Sequence, residues 1–518
     1  MIFRFSTLID KRVIMEETFL HFWYNGFFGI IVASSVRVLP GLSFACWGES
    51  PNPPDQHCML ATHFSNADLA ILIDAQFRLL ESGGYLTKPS RVACFTPPLQ
   101  RCIGKKYGWK CQISLSHLAI LVYNNSIESN FIMGYQPERR GMNYILRHFD
   151  TPLITFSAQS GAEPDIQILS VNESCRELFP LDLAQVSPAG LESWIRHRTI
   201  PRNRAYVDNL LSTMGLSLNR PVDVLKVSKG LSLNDCYWVT EEDFSGSFEK
   251  FNLYDNRFSR VLGQIAFTGF GSSGSILSSS PEFTTGGMLP KCWRREGGII
   301  RLYKGGTQGA SNTGFEPYSE FYAAQIAKIL EVNAIDYSIS RWKETLCSTC
   351  ELFTGKDISF VSVGRIVRSG GMKAVRAFYA SLGEEYVKAL DDMIVFDAVI
   401  FNTDRHYGNF GFLVDSHTNK IIAPAPLFDH GNALLNLAGA EALKSKENIL
   451  KYSKTQMPCV YDDFVGEAKM VMTHEHRNHL RKLLDFRFKR HSRYNLSSKR
   501  LALVEFAVQS RVKELLEE

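Results

Sequence analysis

The pattern of hydrophobic and polar positions changes near residue 142. Before that point neither helical nor strand periodicity persists, and proline and cysteine residues are scattered without order. Beyond it, apolar runs predict short strands, and apolar positions at helical spacing mix with basic ones. The strands are predicted at 152–156, 166–171 and 222–227, and the helices around 194–198 and 206–211. We therefore expect regular structure from residue 142 onward.

The centre of the chain predicts a hairpin followed by a helix. Two extended runs between residues 283 and 304 flank Arg-Arg-Glu-Gly-Gly at 294–298, and the second run leads into Lys304. Pro317 lies near the start of the next helix, which places Tyr322 and Ile326 on one apolar face. The last third of the chain is predicted to be mostly helical, with long amphipathic segments at 372–401 and 501–516.

The first 141 residues admit two interpretations. One is a genuine N-terminal domain with weak patterning. The other is that translation starts at Met142, because a purine-rich stretch encoding Glu-Arg-Arg-Gly at 138–141 resembles a bacterial ribosome-binding site. The apolar segment 19–36 approaches the roughly 20 residues of a membrane-spanning helix. It contains His21 and Asn25, and no clear signal-peptidase site follows it, so we expect no membrane segment.

Composition excludes several classes of protein. The chain has 518 residues, of which 45% are hydrophobic and 21% charged, so it is too apolar for global disorder and long enough for a two-lobed enzyme. A net charge of +4 neither supports nor excludes nucleic-acid binding, because such binding depends on clustering. The 11 cysteines are scattered and odd in number, which favours reduced thiols in the cytoplasm. Cys347 and Cys350 form a C-x-x-C pair without a second pair for zinc, and we interpret them as buried thiols.

The segment 395–431 carries the candidate chemistry. An apolar helix leads into a polar loop with Asp404 and, five positions later, Asn409. A predicted hairpin with its turn at 416–419 then delivers Asp429. Phosphoryl transfer uses such a set, because one Asp orients the attacking hydroxyl while an Asn and a second Asp hold magnesium. Asp and Asn at this spacing alone are more often a capping turn, but the hairpin and its terminal Asp-x-Gly favour a kinase.

A kinase also needs a lysine for the nucleotide phosphates and a glutamate that positions it. Lys304 ends a predicted strand ahead of a Gly pair, and Glu320 lies sixteen residues later near the start of a helix. A solvated charge is the commoner fate of any single Lys or Glu. The order and placement of the two residues favour the kinase interpretation.

Two stretches compete for the loop that covers the phosphates. Residues 269–274 match G-x-G-x-x-G, but they lie well before Lys304 and resemble a flexible linker. Residues 283–291 directly precede the strand pair that ends in Lys304. We prefer the second stretch, because a phosphate loop should lie close to the lysine strand.

These residues resemble the HipA-like serine/threonine kinases, two-lobed bacterial kinases of toxin–antitoxin systems, over about residues 145–518. The resemblance rests on Asn-Thr-Asp-Arg-His-x-x-Asn at 402–409, on Ala-Pro-Ala-Pro-Leu-Phe-Asp at 423–429 and on Phe-Thr-Thr-Gly-Gly-Met-Leu-Pro-Lys at 283–291. It implies an α+β, protein-kinase-like fold with a strand-rich N-lobe and a mostly helical C-lobe. The corresponding divisions are an N-terminal subdomain at 142–225, the N-lobe at 226–360 and the C-lobe at 361–518, with 1–141 unassigned.

The resemblance also implies residue roles. Asp404 would be the catalytic base, and Asn409 and Asp429 would bind Mg²⁺. The ATP-binding residues would be Lys304, Glu320, Thr284, Thr285, Gly286 and Gly287. The family's phosphate loop carries an autophosphorylated serine, and Thr284 is the nearest equivalent here, which leaves autoregulation open.

The expected activity is ATP- and Mg²⁺-dependent phosphorylation of serine or threonine in a protein substrate in the cytoplasm. Phosphoinositide kinases also use Asp-Arg-His-x-x-Asn, so a lipid or small-molecule kinase is an alternative. Another is a weakly active kinase fold that acts through a DNA-binding antitoxin, although Lys304, Asp404, Asn409 and Asp429 are all present. No helix-turn-helix pattern is evident, so we expect no direct contact with nucleic acid.

Overall fold

The computed structural model describes residues 142–159, 161, 165–183, 185–271, 280–309 and 313–517, and the backbone of short strands between residues 4 and 62. The chain divides into a unit of residues 1–138 and a unit of residues 139–518. The described strands of the first unit are β1 (Arg4–Phe5), β2 (Val13–Met15), β3 (Phe22–Tyr24), β4 (Phe27–Gly29), β5 (Val36–Val38), β6 (Phe44–Trp47) and β7 (Met59–Thr62).

The apolar segment 19–36 lies outside the described residues, apart from the backbone of such short strands. Among the described residues, no helix is long and apolar enough to cross a membrane.

The second unit begins with an antiparallel sheet in the order β10-β9-β8-β11. Its strands are β8 (Met142–His148), β9 (Thr151–Ala158), β10 (Ile166–Val171) and β11 (Tyr237–Glu241). Leu146 and Phe156 are buried and share one core with Trp194 of helix α1 (Pro188–His197). The predicted strands at 152–156 and 166–171 are confirmed.

The apolar run 222–227, which we predicted as a strand, is instead a helix. After α2 (Val207–Ser212), helix α3 (Pro221–Ser228) buries Val222, Val224 and Leu225. A short apolar run does not distinguish a buried strand from a buried helix. Pro221 in the first helical turn, where its missing N–H has no intrahelical partner to lose, was the signal for a helix.

A second antiparallel sheet carries the predicted hairpin, in the order β12-β13-β15-β14. Helices α4 (Phe248–Phe251) and α5 (Arg260–Thr268) precede its strands β12 (Lys291–Glu296), β13 (Ile299–Gly305), β14 (Ser338–Trp342) and β15 (Thr345–Glu351). Gly297 and Gly298 form the β12–β13 turn with φ of 57° and 87°, which glycine adopts without a Cβ clash. Helix α6 (Glu316–Leu330) packs on this sheet, so the predicted hairpin and helix are confirmed.

The rest of the second unit is mostly helical around a small sheet in the order β16-β17-β18. The strands are β16 (Ile358–Ser362), β17 (Gly411–Asp415) and β18 (Lys420–Pro424). The helices are α7 (Val363–Ile366), α8 (Gly371–Leu382), α9 (Glu384–Ile400), α10 (Lys446–Ser453), α11 (Phe464–Val471), α12 (His474–Arg481) and α13 (Ser498–Leu516).

The prediction of one long helical segment at 372–401 is wrong in one respect: these residues form two helices, α8 and α9. Gly383 separates them with φ of 139° and ψ of 168°, a conformation that is almost exclusive to glycine and ends a helix. The fold class is nevertheless confirmed: the second unit is α+β, strand-rich in its N-terminal part and mostly helical in its C-terminal part.

Candidate active site

The polar loop after α9 is held in place by a fully buried ion pair between Asp397 and Arg405. Arg405 Nε lies 2.9 Å from Asp397 Oδ2, and its Nη2 lies 3.0 Å from Oδ1. Asn402 Nδ2 also donates to Asp397 Oδ1 at 2.9 Å. The end of α9 and the start of the loop are therefore one hydrogen-bonded unit.

All five N–H donors of Arg405 are used. Besides the two bonds to Asp397, Nη1 donates to the carbonyls of Asn409 (3.1 Å) and Phe428 (2.6 Å), and Nη2 donates to His430 Nδ1 (3.0 Å). The His430 ring therefore carries its proton on Nε2, and burial together with the Arg405 charge lowers the pKa of His430 well below its usual range. Arg405 thus joins the segments around Asn409 and Asp429, a contact that the sequence analysis missed although Arg405 is part of the quoted motif.

Asp404 and Asn409 lie in this loop and contact each other. Asn409 Nδ2 donates to the Asp404 carbonyl at 3.1 Å, and the Asp404 N–H donates to Asn402 Oδ1 at 3.2 Å. The Asp404 carboxylate accepts a hydrogen bond from Asn432 Nδ2 at 3.0 Å. Sequence analysis gave Asn432 no role, although its position three residues after Asp429 in the same polar segment was a usable signal.

Lys304 bridges two carboxylates from different parts of the second unit. Its Nζ lies 2.7 Å from Glu320 Oε1 of α6 and also contacts Asp429 Oδ1. Burial opposes the charged lysine, but Asp429 and Glu320 outweigh burial and hold the pKa of Lys304 well above its usual value. In return, the pKa of the Asp429 carboxyl is well below its usual range despite burial, because Lys304 and Lys291 are close. The site therefore keeps an ammonium and an ionised Asp429 side by side.

Asp429 and Glu320 are each held in place by further contacts. Asp429 has φ of 58°, in the left-handed region, and its N–H donates to Tyr337 Oη at 3.0 Å. Ser348 Oγ of β15 donates to Glu320 Oε2, so both Glu320 oxygens are engaged. Burial raises the pKa of Glu320 despite the nearby Lys304.

The preferred phosphate loop lies next to the lysine strand. Lys291 at the end of the loop pairs in register with Lys304, and the Gly305 N–H donates to the Pro290 carbonyl at 2.8 Å. Thr284 Oγ1 donates to the Leu231 carbonyl at 2.8 Å, and Thr285 Oγ1 donates to the Pro281 carbonyl at 2.7 Å. In the competing G-x-G-x-x-G stretch, Gly269 caps α5 with φ of 78°, and residues 272–274 lie outside the described residues.

The tip of the loop consists of Gly286 and Gly287 and lies over a second lysine. A Cβ on Gly286 would have no neighbour within 4 Å, whereas a Cβ on Gly287 would lie 2.2 Å from Lys291 Nζ. Burial and the nearby Lys304 lower the pKa of Lys291 to about 7. The sequence analysis included Lys291 in a motif but gave it no role. The signal for a role is its position beneath the glycine tip of the loop, which only the structure shows.

The residues proposed as magnesium ligands suit a hard cation. Asp429 is held ionised, and Arg405 ties the Asn409 and Phe428 carbonyls to one guanidinium, which brings Asn409 and Asp429 to the same region. Carboxylate and amide oxygens are ligands that Mg²⁺ prefers, with phosphate and water oxygens completing its shell. Among the described residues no group of three His, Cys, Asp or Glu side chains forms a metal cluster. Cys347 and Cys350 are buried in β15, and burial raises the pKa of the Cys347 thiol to about 12.

Comparison with known proteins found no matching family model and no matching curated protein. Among solved structures, the chain is similar to the proinflammatory kinase CtkA of Helicobacter pylori, with 17% identity, 45% of this chain and 92% of that chain covered, and a TM-score of 0.37. It is also similar to a chain of the toxin–antitoxin complex of HipA, HipB and operator DNA from Shewanella oneidensis MR-1, with 12% identity, 72% and 99% coverage, and a TM-score of 0.43. HipA, the protein for which the resembled family is named, is one of the solved proteins to which the chain is similar.

Proposed function

We propose that this chain is a HipA-like kinase that transfers a phosphoryl group from ATP to serine or threonine of a protein, with Mg²⁺ as cofactor. The observation that carries the proposal is the contact of the buried Lys304 with Glu320 and Asp429, beside a loop that presents Asp404 and Asn409. A purely structural role would not need a buried, charged lysine between two carboxylates, one of them fully buried, because desolvating such groups is costly.

Each side chain has a task in this proposal. Asp404 accepts the proton of the substrate hydroxyl, and the amide of Asn432, 3.0 Å from its carboxylate, orients it. Lys304 contacts the nucleotide phosphates, and Glu320 holds the lysine in place. Asn409 and Asp429 would hold Mg²⁺, which neutralises charge on the phosphates when bound.

Lys291 adds a second positive charge near the phosphates. The fraction of Lys291 that carries this charge depends on pH. Because the pKa of Lys291 is about 7 and not 10.5, its ammonium is present below that pH and is lost as the pH rises through it. If the ammonium binds phosphate oxygens, the KM for ATP should rise about tenfold between pH 6 and pH 8.5, since a hydrogen bond to a charged group contributes roughly 1.5–3 kcal/mol.

The measurement is the KM for ATP across this pH range in wild type and in Lys291→Met. In the variant the KM should be high and nearly independent of pH. A variant that keeps the wild-type pH profile would exclude Lys291 from phosphate binding.

The class of substrate is tested by the destination of the phosphate. Wild type and Asp404→Asn are incubated with ATP labelled on the γ-phosphate and a cell extract, and protein, organic and aqueous fractions are separated. We expect Asp404-dependent label on serine or threonine of protein. Label that is confined to the organic or aqueous fraction would instead support a lipid or small-molecule kinase.

A partner protein is part of the proposal. The solved HipA of Shewanella oneidensis is in complex with HipB and operator DNA, and we infer a small DNA-binding regulator of the antitoxin kind for this chain. Any contact with DNA would then run through that partner, in the cytoplasm. A weakly active scaffold that serves only this partner is the second candidate, and absence of Asp404-dependent label in every fraction would favour it.

A further inference from the structure

A fully buried ion pair lies at the base of the loop 284–290. Arg204 Nη2 is 2.8 Å from Glu282 Oε2, and their side chains are 0% and 1% exposed. Arg204 precedes α2 and lies 78 positions before Glu282. The pair therefore connects the N-terminal helices of the second unit to the loop that we propose for the phosphates.

The guanidinium of Arg204 contacts both ends of this loop. Nη1 donates to the carbonyls of Glu282 at 2.9 Å and Thr285 at 3.0 Å, and Nη2 also donates to the Lys291 carbonyl at 2.8 Å. The next residue reaches the middle of the loop, because the Ala205 N–H donates to the Met288 carbonyl at 2.7 Å. One short segment thus fixes the entry, the middle and the exit of the loop.

Glu282 extends the same network into β12. Its Oε1 accepts a hydrogen bond from the Trp293 N–H at 2.9 Å, and the Trp293 indole donates to Thr285 Oγ1 at 3.1 Å. The loop is therefore closed into a ring of hydrogen bonds around the buried pair. Trp293 is a natural probe of that ring, because its indole N–H ends on the loop itself.

The glycine tip of the loop is open around Gly286, whereas Gly287 lies close to Lys291. A Cβ on Gly286 would meet nothing within 4 Å, and Gly287 has φ of 83°. Backbone N–H groups that receive an anion act best when they are already oriented, since no reorganisation is then needed on binding. The orientation of this loop must come from its anchors, and Arg204 binds the Thr285 carbonyl within the loop and the Glu282 and Lys291 carbonyls on either side of it.

We propose that Arg204 is a positioning residue that holds the loop 284–290 in the conformation that receives the phosphates of ATP. The inference rests on the proposed function of this loop and adds the group that orients it. Arg204 touches neither Lys304 nor Asp429 in the described contacts, so it acts through the loop.

The test replaces Arg204 by lysine, which keeps the charge opposite Glu282 but cannot reproduce the planar fork that contacts the carboxylate and three carbonyls together. In Arg204→Lys we expect the KM for ATP to rise at least about tenfold, the loss typical of one charge-assisted hydrogen bond, with a smaller change in kcat.

The matched control is Arg198→Lys. Arg198 is also buried, binds Asp235 through two bonds of 2.8 and 2.6 Å and donates to the Gly230 and Tyr237 carbonyls, but none of its contacts is with residues 284–290. The KM of Arg198→Lys for ATP should stay within about twofold of the wild-type value.

A second readout does not depend on nucleotide. The Trp293 indole resonance in a ¹⁵N–¹H spectrum is assigned by its disappearance in Trp293→Phe. In nucleotide-free Arg204→Lys this resonance should shift or broaden, while in Arg198→Lys it should stay in place. If Arg204→Lys does not fold, Glu282→Gln weakens the same pair with Arg204 retained, and the same two effects are expected in smaller size.

The proposal stands only if both effects occur together. An unchanged KM with a shifted resonance, or a raised KM with an unchanged resonance, would each overturn it, as would equal effects in the Arg198→Lys control. If wild type itself neither binds ATP nor transfers phosphate, the proposed function fails, and the indole resonance still decides whether Arg204 orients the loop.

Discussion

The Asp404→Asn variant should transfer phosphate about 10²–10⁴-fold more slowly than wild type, the usual loss when a positioned acid or base is removed. Asparagine keeps the size of the side chain and still accepts the hydrogen bond from Asn432, but it loses the negative charge and the basicity. The loop should stay folded, because the backbone of Asp404, through its bonds to Asn402 and Asn409, carries the local structure. Binding of ATP should therefore survive.

A thermal-shift titration with Mg-ATP, run beside a phosphate-transfer assay, separates binding from turnover. The matched control is Asp415→Asn, which removes a carboxylate of the β17–β18 turn that accepts bonds from the N–H groups of His417 and Thr418. Turnover at the wild-type rate in Asp404→Asn would make Asp404 a structural residue. Loss of nucleotide binding would place Asp404 among the nucleotide ligands instead.

The Asp429→Asn variant should lose phosphate transfer by at least about 10³-fold, because a bound cation contributes several kcal/mol to charge stabilisation and each 1.36 kcal/mol is tenfold in rate. We choose asparagine and not alanine because Asp429 has φ of 58°. Asparagine tolerates this left-handed conformation, whereas alanine would add roughly 1–2 kcal/mol of backbone strain and confuse loss of the metal with loss of the fold.

The measurement is the transfer rate as a function of Mg²⁺ concentration, together with the unfolding midpoint. Asp391→Asn is the control. Asp391 lies on α9 outside the proposed site, and its Oδ1 is 2.6 Å from Arg376 Nη2 of α8. The control should keep the wild-type rate and Mg²⁺ dependence. Asp429→Asn with a wild-type rate at the same Mg²⁺ concentration would remove Asp429 from the metal site.

Local patterns were sufficient for the elements that carry the candidate site. The hairpin before Lys304, the helix with Glu320 and the hairpin before Asp429 each follow from residues close together in the sequence. The same reasoning misassigned 222–227, because a short apolar run fits both a strand and a helix. It also missed the break at Gly383, where a single φ of 139° overrides the helical periodicity on both sides.

The contacts within the site could not be predicted from local sequence patterns. Lys304 and Asp429 are separated by 125 positions, and Asp404 and Asn432 by 28, so only the tertiary fold brings each pair together. Lys291 illustrates the same limit. Its sequence context is that of any strand residue, and its depressed pKa arises from burial beside another lysine across the β12–β13 pair.

The five hydrogen bonds of Arg405 have a consequence for how this region of the chain can change in evolution. Their acceptors come from α9, from the loop with Asn409 and from the segment with Phe428 and His430. A shift of any one segment leaves a buried donor without an acceptor, which is costly. Lysine, with three donors at a single point, cannot replace the fork. The three segments must therefore change together, so insertions and deletions within any one of them should be far less tolerated than in exposed loops that make no contact with Arg405.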